Sequence, residues 1–245
     1  MKKLLLGAAV ALLPITGFSA TIFGFQAGVG SWNHDPSGNI TASVGGTGTS
    51  ADLKNDLNLS KKSEGYSYFL IEHPVPIVPN FKYVNTKLSS SGSGTATTSF
   101  TFNGTPYSTA TNLTTSLVLD QTDMIFYYEI LDNDLVSFDI GLNARKIDGS
   151  AAVNTDSATF TGTIPMLYAA AEIGLPAGLT LAGEISTISA GSNEISDVTA
   201  KVTYTTDFNL GVEAGVRTQT IKVDVDSVKT SIDFSGVFAG VYFKF

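Results

Sequence analysis

Apolar and polar residues alternate over many short stretches of this chain, and this alternation constrains the fold more than any other feature. From Val136 to Arg145, for example, apolar residues occupy every even position, and Ser, Asp, Gly, Asn and Arg occupy the odd ones. Since successive side chains of a β-strand point to opposite faces, each stretch predicts a strand with one apolar face. The chain is therefore predicted to be all-β, with strands at about 22–33, 65–73, 80–91, 114–129, 135–147, 160–173, 179–189, 195–206, 209–223 and 228–245.

The most apolar window of the chain does not predict a membrane-spanning helix. It runs from Ile164 to Ile185, 22 residues with Glu172 and Glu184 as the only charges. The window also contains Pro165, Pro176 and glycines, and a helix interior penalises Pro by ~3 kcal/mol and Gly by ~1 kcal/mol. We therefore expect two strands around a tight turn.

The N-terminal segment is predicted to be a signal peptide rather than part of the fold. A pair of lysines, an apolar core at 4–15 and a stretch with small residues follow one another. This order is typical of secretory signals, with cleavage here after Ser19 or Ala20. The apolar core is too short to span ~30 Å of hydrocarbon. We therefore divide the chain into residues 1–20, removed on export, and one domain at 21–245.

Connection lengths distinguish a membrane barrel from a secreted sandwich. Short connections near 74–79, 131–134, 174–178 and 206–209 alternate with longer polar ones at 34–64, 92–113, 148–159, 190–194 and 224–227. Short periplasmic turns and longer external loops are typical of outer-membrane barrels, and an even strand number puts both termini on one side. We therefore predict a transmembrane antiparallel β-barrel of ten strands, with eight as the alternative.

The chain ends on an alternating apolar row, Val237, Ala239, Val241, Phe243 and Phe245. This end resembles the C-terminal recognition signal of Gram-negative outer-membrane barrels. Gly240, Phe243 and Phe245 match that signal, whereas Phe238 stands where a polar residue is usual. The resemblance implies folding by the barrel assembly machinery, a place in the outer membrane, and contact with its lipid and lipopolysaccharide.

A second segment resembles the hallmark of a family of bacterial outer-membrane β-barrel proteins to which no activity is assigned. The residues that carry this resemblance are Glu72, His73, Pro74, Pro76, Pro79 and Asn80. The resemblance implies a barrel and adds no activity. Because proline cannot donate to a strand ladder, we expect a stiff periplasmic turn with a role in structure or assembly. The alternative is a proton or metal site, but adjacent strand residues point to opposite faces.

Charged residues within the predicted strands alternate with apolar ones, so we expect them to line the lumen. These residues are Asp139, Arg145, Glu172, Glu184, Lys201, Glu213 and Arg217. Facing lipid, a charge would cost ~2–4 kcal/mol near the midplane. A ten-stranded barrel has a slim interior, so we favour a salt-bridge network that fills it. The alternative is the selectivity lining of a narrow channel for small solutes, with weak cation preference.

Composition excludes several other functions. The net charge of −8 argues against a nucleic-acid partner, which requires a basic surface. The absence of cysteine excludes thiol catalysis and cysteine metal sites, and we expect no cofactor and no metal. His34 and Asp35 near the end of the first strand are the one candidate for a rim hydrolase. Without a Gly-x-Ser-x-Gly elbow, we predict that the protein is not an enzyme.

The second long loop predicts the surface function that competes with a channel. Residues 88–119 contain no charge, and Asn103-Gly104 after Phe100-Thr101-Phe102 predicts an external hairpin. Such a loop suits an adhesion or receptor barrel, which is the alternative to a structural barrel or porin-like channel. The sequence leaves the ligand and the oligomeric state open.

Two strands show a change of phase, and the aromatic residues suggest membrane girdles. The apolar positions change parity around 120–123 and again near 235–236, where we expect bulges. The aromatic residues that suit interface girdles are Tyr66, Tyr68, Phe81, Tyr83, Phe126, Tyr127, Tyr128 and Tyr242.

Overall fold

The computed structural model describes residues 23–42, 49–109, 111–133, 135–225 and 228–245. The predicted signal peptide lies outside the described residues. A single 3-10 turn, Pro176–Gly178, interrupts the strands, and no helix in the described ranges is long and apolar enough to cross a membrane. The strands are β1 Gly24–Ala42, β2 Ser50–Asp52, β3 Lys62–Glu72, β4 Asn80–Thr86, β5 Ser89–Thr95, β6 Phe100–Phe102, β7 Thr105–Tyr107, β8 Asn112–Asp132, β9 Val136–Val153, β10 Asp156–Leu175, β11 Leu179–Ala190, β12 Asn193–Thr205, β13 Leu210–Val225 and β14 Val228–Lys244.

The strands close into an antiparallel barrel in which each wall position pairs with its neighbours in the sequence. The order is β1, β3, β4, β8, β9 and on to β14, which pairs with β1 from Gln26↔Lys244 to Ala42↔Val228. β5 continues the wall above β4, because both pair with β8. Counting β4 and β5 as one position gives ten, which confirms the predicted ten-stranded barrel.

Several strands are longer than predicted, so the barrel wall is taller than expected at the end opposite the C-terminus. β1 continues through His34 to Ala42, although the first loop was expected from residue 34. β9 and β10 are joined by two residues after Val153, although a loop was expected at 148–159. Asn154 takes a positive φ of 53° there, which suits a tight hairpin. Ser, Thr and Ala residues therefore extend the strands instead of forming loops.

A lipid-facing belt surrounds the half of the barrel that contains the short turns and the C-terminus, which we call the periplasmic end. Outward side chains such as Leu142 and Leu167 are 61% and 65% exposed there, and none of the outward residues of the belt is charged. Apolar outer walls of this kind face lipid in membrane barrels. The parts of the strands whose outward side chains form the belt are 25–31, 67–71, 81–83, 124–131, 136–144, 165–175, 179–185, 198–204, 210–216 and 237–245.

Above the belt, in the external section, the polarity of the wall is reversed. Outward residues are now polar, as at Lys146, Asp148, Thr159 and Thr161, whereas inward residues are apolar. The inward residues and the overlying loops form one buried apolar cluster, which we call the external plug. Its members include Leu53, Leu57, Leu59, Leu88, Phe100, Phe102, Tyr107, Leu113, Leu117, Leu119, Ile147, Val153, Ile195, Ile221, Ile232 and Phe234.

The hairpin of β6 and β7 closes the external mouth. The predicted Asn103-Gly104 turn forms, with φ values of 49° and 86°. Tyr107 anchors the hairpin, because its hydroxyl donates to the Val153 carbonyl at 3.0 Å and to Asp156 at 2.6 Å. The hairpin therefore packs on the plug rather than standing free above it.

Asp56 joins the two external loops. Its carboxylate accepts hydrogen bonds from the Asp52 N–H at 2.9 Å, the Thr98 N–H at 2.9 Å and the Thr97 hydroxyl at 2.7 Å. Burial raises the pKa of this carboxyl, but these donors outweigh it and hold the pKa below its usual range. The ionised Asp56 carboxylate therefore links the loop at residues 52–56 to the loop at residues 97–98.

The predictions of bulges and part of the prediction of the aromatic girdle are wrong. Pairing of β14 with both neighbours is unbroken through 235–236, and β8 pairs without a shift through 120–123. The parity changes there because the apolar face moves from the outside of the wall to the inside. Of the predicted girdle residues, Tyr66, Tyr68, Tyr127 and Tyr242 have inward positions, because they lie in register with other lumen residues.

Candidate functional site in the barrel lumen

All seven charged residues selected from the sequence have inward positions in the structure. The alternation of each strand places them there, because their neighbours in the chain are lipid-facing or outward polar residues. They do not form one lining; they lie at three levels between the periplasmic end and the plug. Their role in selectivity remains a prediction.

The lowest level is a cavity of about 490 Å³ at the periplasmic end. Asp139 and Glu172 line it, together with Glu72 and Glu129, and carboxylates outnumber cations among the lining residues. The Tyr127 hydroxyl donates to Glu72 at 2.9 Å. We call this space the periplasmic cavity.

The middle level is a network of two lysines and two glutamates, which we call the lysine network. Lys82 Nζ lies 2.5 Å from Glu184, and Lys201 Nζ lies 3.5 Å from Glu184 and 3.1 Å from Glu213. Both ammonium groups also lie over aromatic rings: Lys201 is 5.6 Å from the centre of Tyr68. Cation–π contact of this kind adds to the ion pairs in holding the ammonium group. The network crosses the lumen above the periplasmic cavity.

The upper level, which we call the arginine network, lies immediately below the plug. Arg145 donates to Asp123 at 2.6 and 3.0 Å and to Asp197 at 2.7 Å. Arg217 donates twice to Asp197, at 2.9 and 2.7 Å, and its guanidinium lies 4.8 Å from the centre of the Trp32 ring. Buried charges are tolerated when they are paired and hydrogen-bonded in this way.

The two networks are balanced in charge. Four cations face four carboxylates: Arg145, Arg217, Lys82 and Lys201 face Asp123, Asp197, Glu184 and Glu213. Because each charge has an opposite partner, the arrangement supplies no net field for ion selection. The lumen is thus filled with side chains in its middle and closed by apolar residues above.

Several residues of these networks are not among those predicted from the sequence. Asp123, Asp197 and Lys82 were not selected, although each has the inward parity of its strand. The alternation predicts these inward positions once it is extended beyond the clearest runs. Asp197, for example, lies two positions before Thr199, and both are on the inner face of the strand, whereas Val198 and Ala200 are on the outer face. Trp32, Tyr66 and Tyr68 carry no such signal, because aromatic residues suit either face of the wall.

The C-terminal glycine of the predicted assembly signal has a packing role. Gly240 lies opposite Gly30, and both leave room for the ring of Tyr66. A Cβ at Gly240 would lie 2.5 Å from the Tyr66 hydroxyl. That hydroxyl donates to Glu213 at 2.7 Å, so the glycine pair lets Tyr66 reach the lysine network. Phe243 and Phe245 face outward in the lipid belt.

The periplasmic turn uses His73 for its own backbone. The His73 N–H donates to the Asn80 side chain at 3.0 Å, and Val75 N–H donates to Nδ1 at 3.3 Å. Nε2 lies 3.2 Å from the Pro79 carbonyl and donates to it. Glu72 instead lines the periplasmic cavity. The two side chains therefore do not act together.

His34 is buried in an apolar environment. It lies between Trp32 and Phe234, with ring centres 5.1 and 5.6 Å away, and neither ring nitrogen has a hydrogen-bond partner in the protein. Burial lowers its pKa to about 4, so the ring is neutral at pH 7. In the described residues, no group of three or more His, Asp or Glu side chains is arranged to hold a metal ion.

Comparison with known proteins shows the fold. No protein-family model and no curated protein matches the chain. The outer membrane protease OmpT from Escherichia coli is similar in structure, with a TM-score of 0.58 and 10% identity over 94% of this chain and 99% of that chain. The fold is that of an outer-membrane β-barrel. With its lipid-facing belt, this fold is that of a barrel that spans a membrane with its strands.

Two further structures align with much weaker scores. The toluene transporter TodX from Pseudomonas putida has 10% identity over 93% of this chain and 90% of that chain, with a TM-score of 0.36. The attachment invasion locus protein Ail of Yersinia pestis has 8% identity over 92% of this chain and 100% of that chain, with a TM-score of 0.35. These scores are too low to indicate a common architecture.

Proposed function

We propose that the protein is a closed structural barrel that holds a rigid external section above the outer membrane. The observation that carries this proposal is the external plug, a packed apolar core that spans the lumen from β1 to β14. Below it, the charged residues are paired with one another instead of lining an open path. An ion crossing the barrel would have to break both layers.

We propose further that the chain is not an enzyme. OmpT is a protease, so a hydrolase is the activity to weigh against this proposal. Hydrolysis requires a base within hydrogen-bond reach of a nucleophile or water and oriented by a third group. The chain has two histidines, and neither hydrogen bonds to a carboxylate or a hydroxyl group.

Assembly and family membership are part of the same proposal. Phe243 and Phe245 are exposed on the terminal strand, where the assembly machinery would pair with it. The lipid belt is the surface for lipid and lipopolysaccharide. The segment from Glu72 to Asn80 supports membership of the barrel family that it resembles, because its prolines and His73 form a defined turn.

Planar-bilayer conductance of the refolded mature protein tests the closed state, with heat-dependent gel mobility as the check of folding. We expect no discrete openings from the wild type. A variant with residues 98–109 replaced by a short Gly-Ser linker removes the β6–β7 hairpin but leaves the paired charges below the plug, and we expect it to stay folded and to show no discrete openings either. Discrete openings of the wild type would overturn the proposal in favour of a narrow solute channel.

Surface binding through the external section is the second candidate. It is favoured by the hairpin, which is anchored by Tyr107 and rich in uncharged hydroxyl side chains on its outer face. Bacteria that carry the 98–109 replacement should then lose attachment to host cells or surfaces. A matched variant, Thr159→Lys on the outer wall, should leave attachment unchanged. Equal attachment by both variants would reject this role.

A further inference from the structure

A small cavity separates the lysine network from the arginine network. Its volume is about 90 Å³, and its lining includes side chains of both networks. Tyr68, Lys82 and Tyr168 line it and also line the periplasmic cavity. The plug lies on its other side, where Trp32 and Phe238 belong to the apolar cluster. We call this space the central cavity.

Three buried polar atoms of the central cavity have no hydrogen-bond partner in the protein. They are Trp32 Nε1, Asn143 Oδ1 and Arg145 Nη1. All three side chains line the cavity and are at most 2% exposed. A buried donor or acceptor without a partner costs about 1–3 kcal/mol. Three such groups around one cavity therefore indicate a ligand that satisfies them.

The three atoms define the chemistry of that ligand. Trp32 Nε1 and Arg145 Nη1 are donors, whereas Asn143 Oδ1 is an acceptor, so the ligand must both accept and donate. The surrounding cations and carboxylates balance each other, so the site favours a neutral ligand over an ion. We infer that the central cavity is a binding site for a cluster of water molecules. The cavity volume of about 90 Å³ is large enough for more than one water molecule.

The position of the cluster gives it a structural task. Asn143 donates through Nδ2 to Asp123 at 2.8 Å and to Ser186 at 3.1 Å, and these two bonds fix the orientation of its amide group, whose oxygen has no partner in the protein. The waters then join the two charge networks into one hydrogen-bonded layer across the lumen. Apolar cavities of comparable size stay dry, whereas polar ones hold conserved waters that are costly to remove.

The only tryptophan of the chain makes this site directly observable. The indole N–H of the refolded protein gives a single resonance in a ¹⁵N-labelled sample, and we expect cross-relaxation between it and a long-lived water. A resonance without a water contact would overturn the inference. A shift on addition of bromide would overturn it too, since it would show an anion in the cavity.

The sign of a stability change is a second test that does not depend on spectroscopy. Trp32→Phe removes a donor: if waters satisfy it, the folding equilibrium constant should fall about tenfold, as for loss of an ordinary hydrogen bond with some packing. Tyr66→Phe, which loses a bond to Glu213, sets the reference size. Because Trp32→Phe also loses packing against Arg217 and His34 with or without water, the sign is read from the cavity-filling variant below, and loss of the indole signal in Trp32→Phe confirms the assignment of the resonance.

Thr199→Leu provides the complementary change, because Thr199 lines the cavity without joining an ion pair. Filling a hydrated cavity displaces waters from three polar atoms and should weaken folding and abolish the water contact of the indole. Filling a dry cavity should strengthen folding instead. If this variant does not refold, Thr199→Ile, which keeps the β-branched shape of threonine while adding volume, replaces it in the same comparison.

Discussion

The membrane half and the external section of this barrel are built from the same strands with opposite polarity. In the membrane half of β9, Leu142 faces out and Asn143 faces in; in the external section, Lys146 faces out and Ile147 faces in. The backbone pairing is continuous through the change. The alternation of a strand thus fixes which residues share a face, while the surrounding solvent decides which face is apolar.

The two halves are consequently stabilised by different interactions. Apolar side chains of the external plug leave water on folding and gain the hydrophobic free energy. Apolar side chains of the belt face lipid, which is as apolar as they are, so their burial contributes little. The membrane half instead depends on its internal hydrogen bonds and ion pairs. Substitutions matched between the two halves measure this difference.

The largest effect is expected where a buried charge loses its partner. Asp197→Asn removes the carboxylate that Arg145 and Arg217 share, and it leaves buried positive charge uncompensated. We expect a loss of about 3–5 kcal/mol in the free energy of unfolding, measured by urea titration in detergent or lipid. Lys222→Met breaks the exposed Lys222–Glu194 pair of the external section and should cost under about 1 kcal/mol. Equal losses of stability in Asp197→Asn and Lys222→Met would contradict the assignment of Asp197 to a buried environment and Lys222 to an exposed one.

Substitution of phenylalanine tests the comparison in the opposite direction, because the larger loss of stability is now expected in the external section. Phe234→Ala leaves a cavity in the plug, where Phe234 is 1% exposed, and should lower the free energy of unfolding by about 3–5 kcal/mol. Phe138→Ala in the belt should cost much less, because Phe138 is 37% exposed and lipid fills the space that it leaves. The same urea titration measures both. A belt variant as damaging as the plug variant would show that the outer wall of β9 packs against protein instead of lipid.

These two comparisons also show what the sequence could predict. Period-two alternation and the terminal Phe245 are local features, so ten strands, closure and the inward set from Asp139 to Arg217 could be inferred without tertiary information. The two networks could not. Arg145 and Asp197 are 52 residues apart, and their meeting depends on strand register across the lumen. Register follows from turn geometry and strand stagger, which alternation does not encode.

The reversed polarity of the external section could not be predicted for a more specific reason. In β8 the apolar residues are odd-numbered at Leu117 and Leu119 but even-numbered at Met124 and Phe126. A bulge and a reversal of polarity produce the same change of parity in the sequence. The observed pairing shows the reversal, and the same holds in β14 between Phe234 and Val237. A parity change near the upper edge of a belt therefore marks the membrane boundary.

A charge placed on the outer wall locates that boundary. Leu167→Arg puts a cation against lipid and should cost about 2–4 kcal/mol near the midplane. Thr159→Arg, on the same strand but in the external section, should change the free energy of unfolding by less than about 0.5 kcal/mol, as for other surface substitutions. Both are measured in lipid vesicles. A large penalty at Thr159 would place the boundary higher than the polarity reversal does.

His34 makes the stability of the plug depend on pH. Its pKa is about 4 in the folded protein against 6.5 for an exposed histidine, so the unfolded chain binds a proton that the folded chain does not. Stability should therefore fall as pH drops from 6.5 to 4 and then level off, with a total loss of about 3 kcal/mol at 1.36 kcal/mol per pH unit. His34→Phe should abolish this contribution, whereas His73→Phe should retain it. A slope unchanged in His34→Phe would assign the dependence to other groups.

Asp56 tests whether the external loops unfold separately from the wall. Its pKa lies below the usual range in the folded protein, so its stabilisation is complete above the unfolded value of about 4 and is lost as pH falls through the lowered folded value. Asp56→Asn replaces charge-assisted hydrogen bonds with neutral ones and should cost about 1–2 kcal/mol at pH 7.

We expect that loss to appear as faster hydrogen exchange in residues 97–107, with unchanged protection of the belt strands. Asp35→Asn, which affects only an exposed pair with Lys54, is the matched control. Faster exchange throughout the barrel in Asp56→Asn would mean that the loops and wall unfold as one unit. Exchange confined to the loops would make the hairpin the part of the external plug that opens at the lowest free-energy cost, while the strands of the wall stay folded.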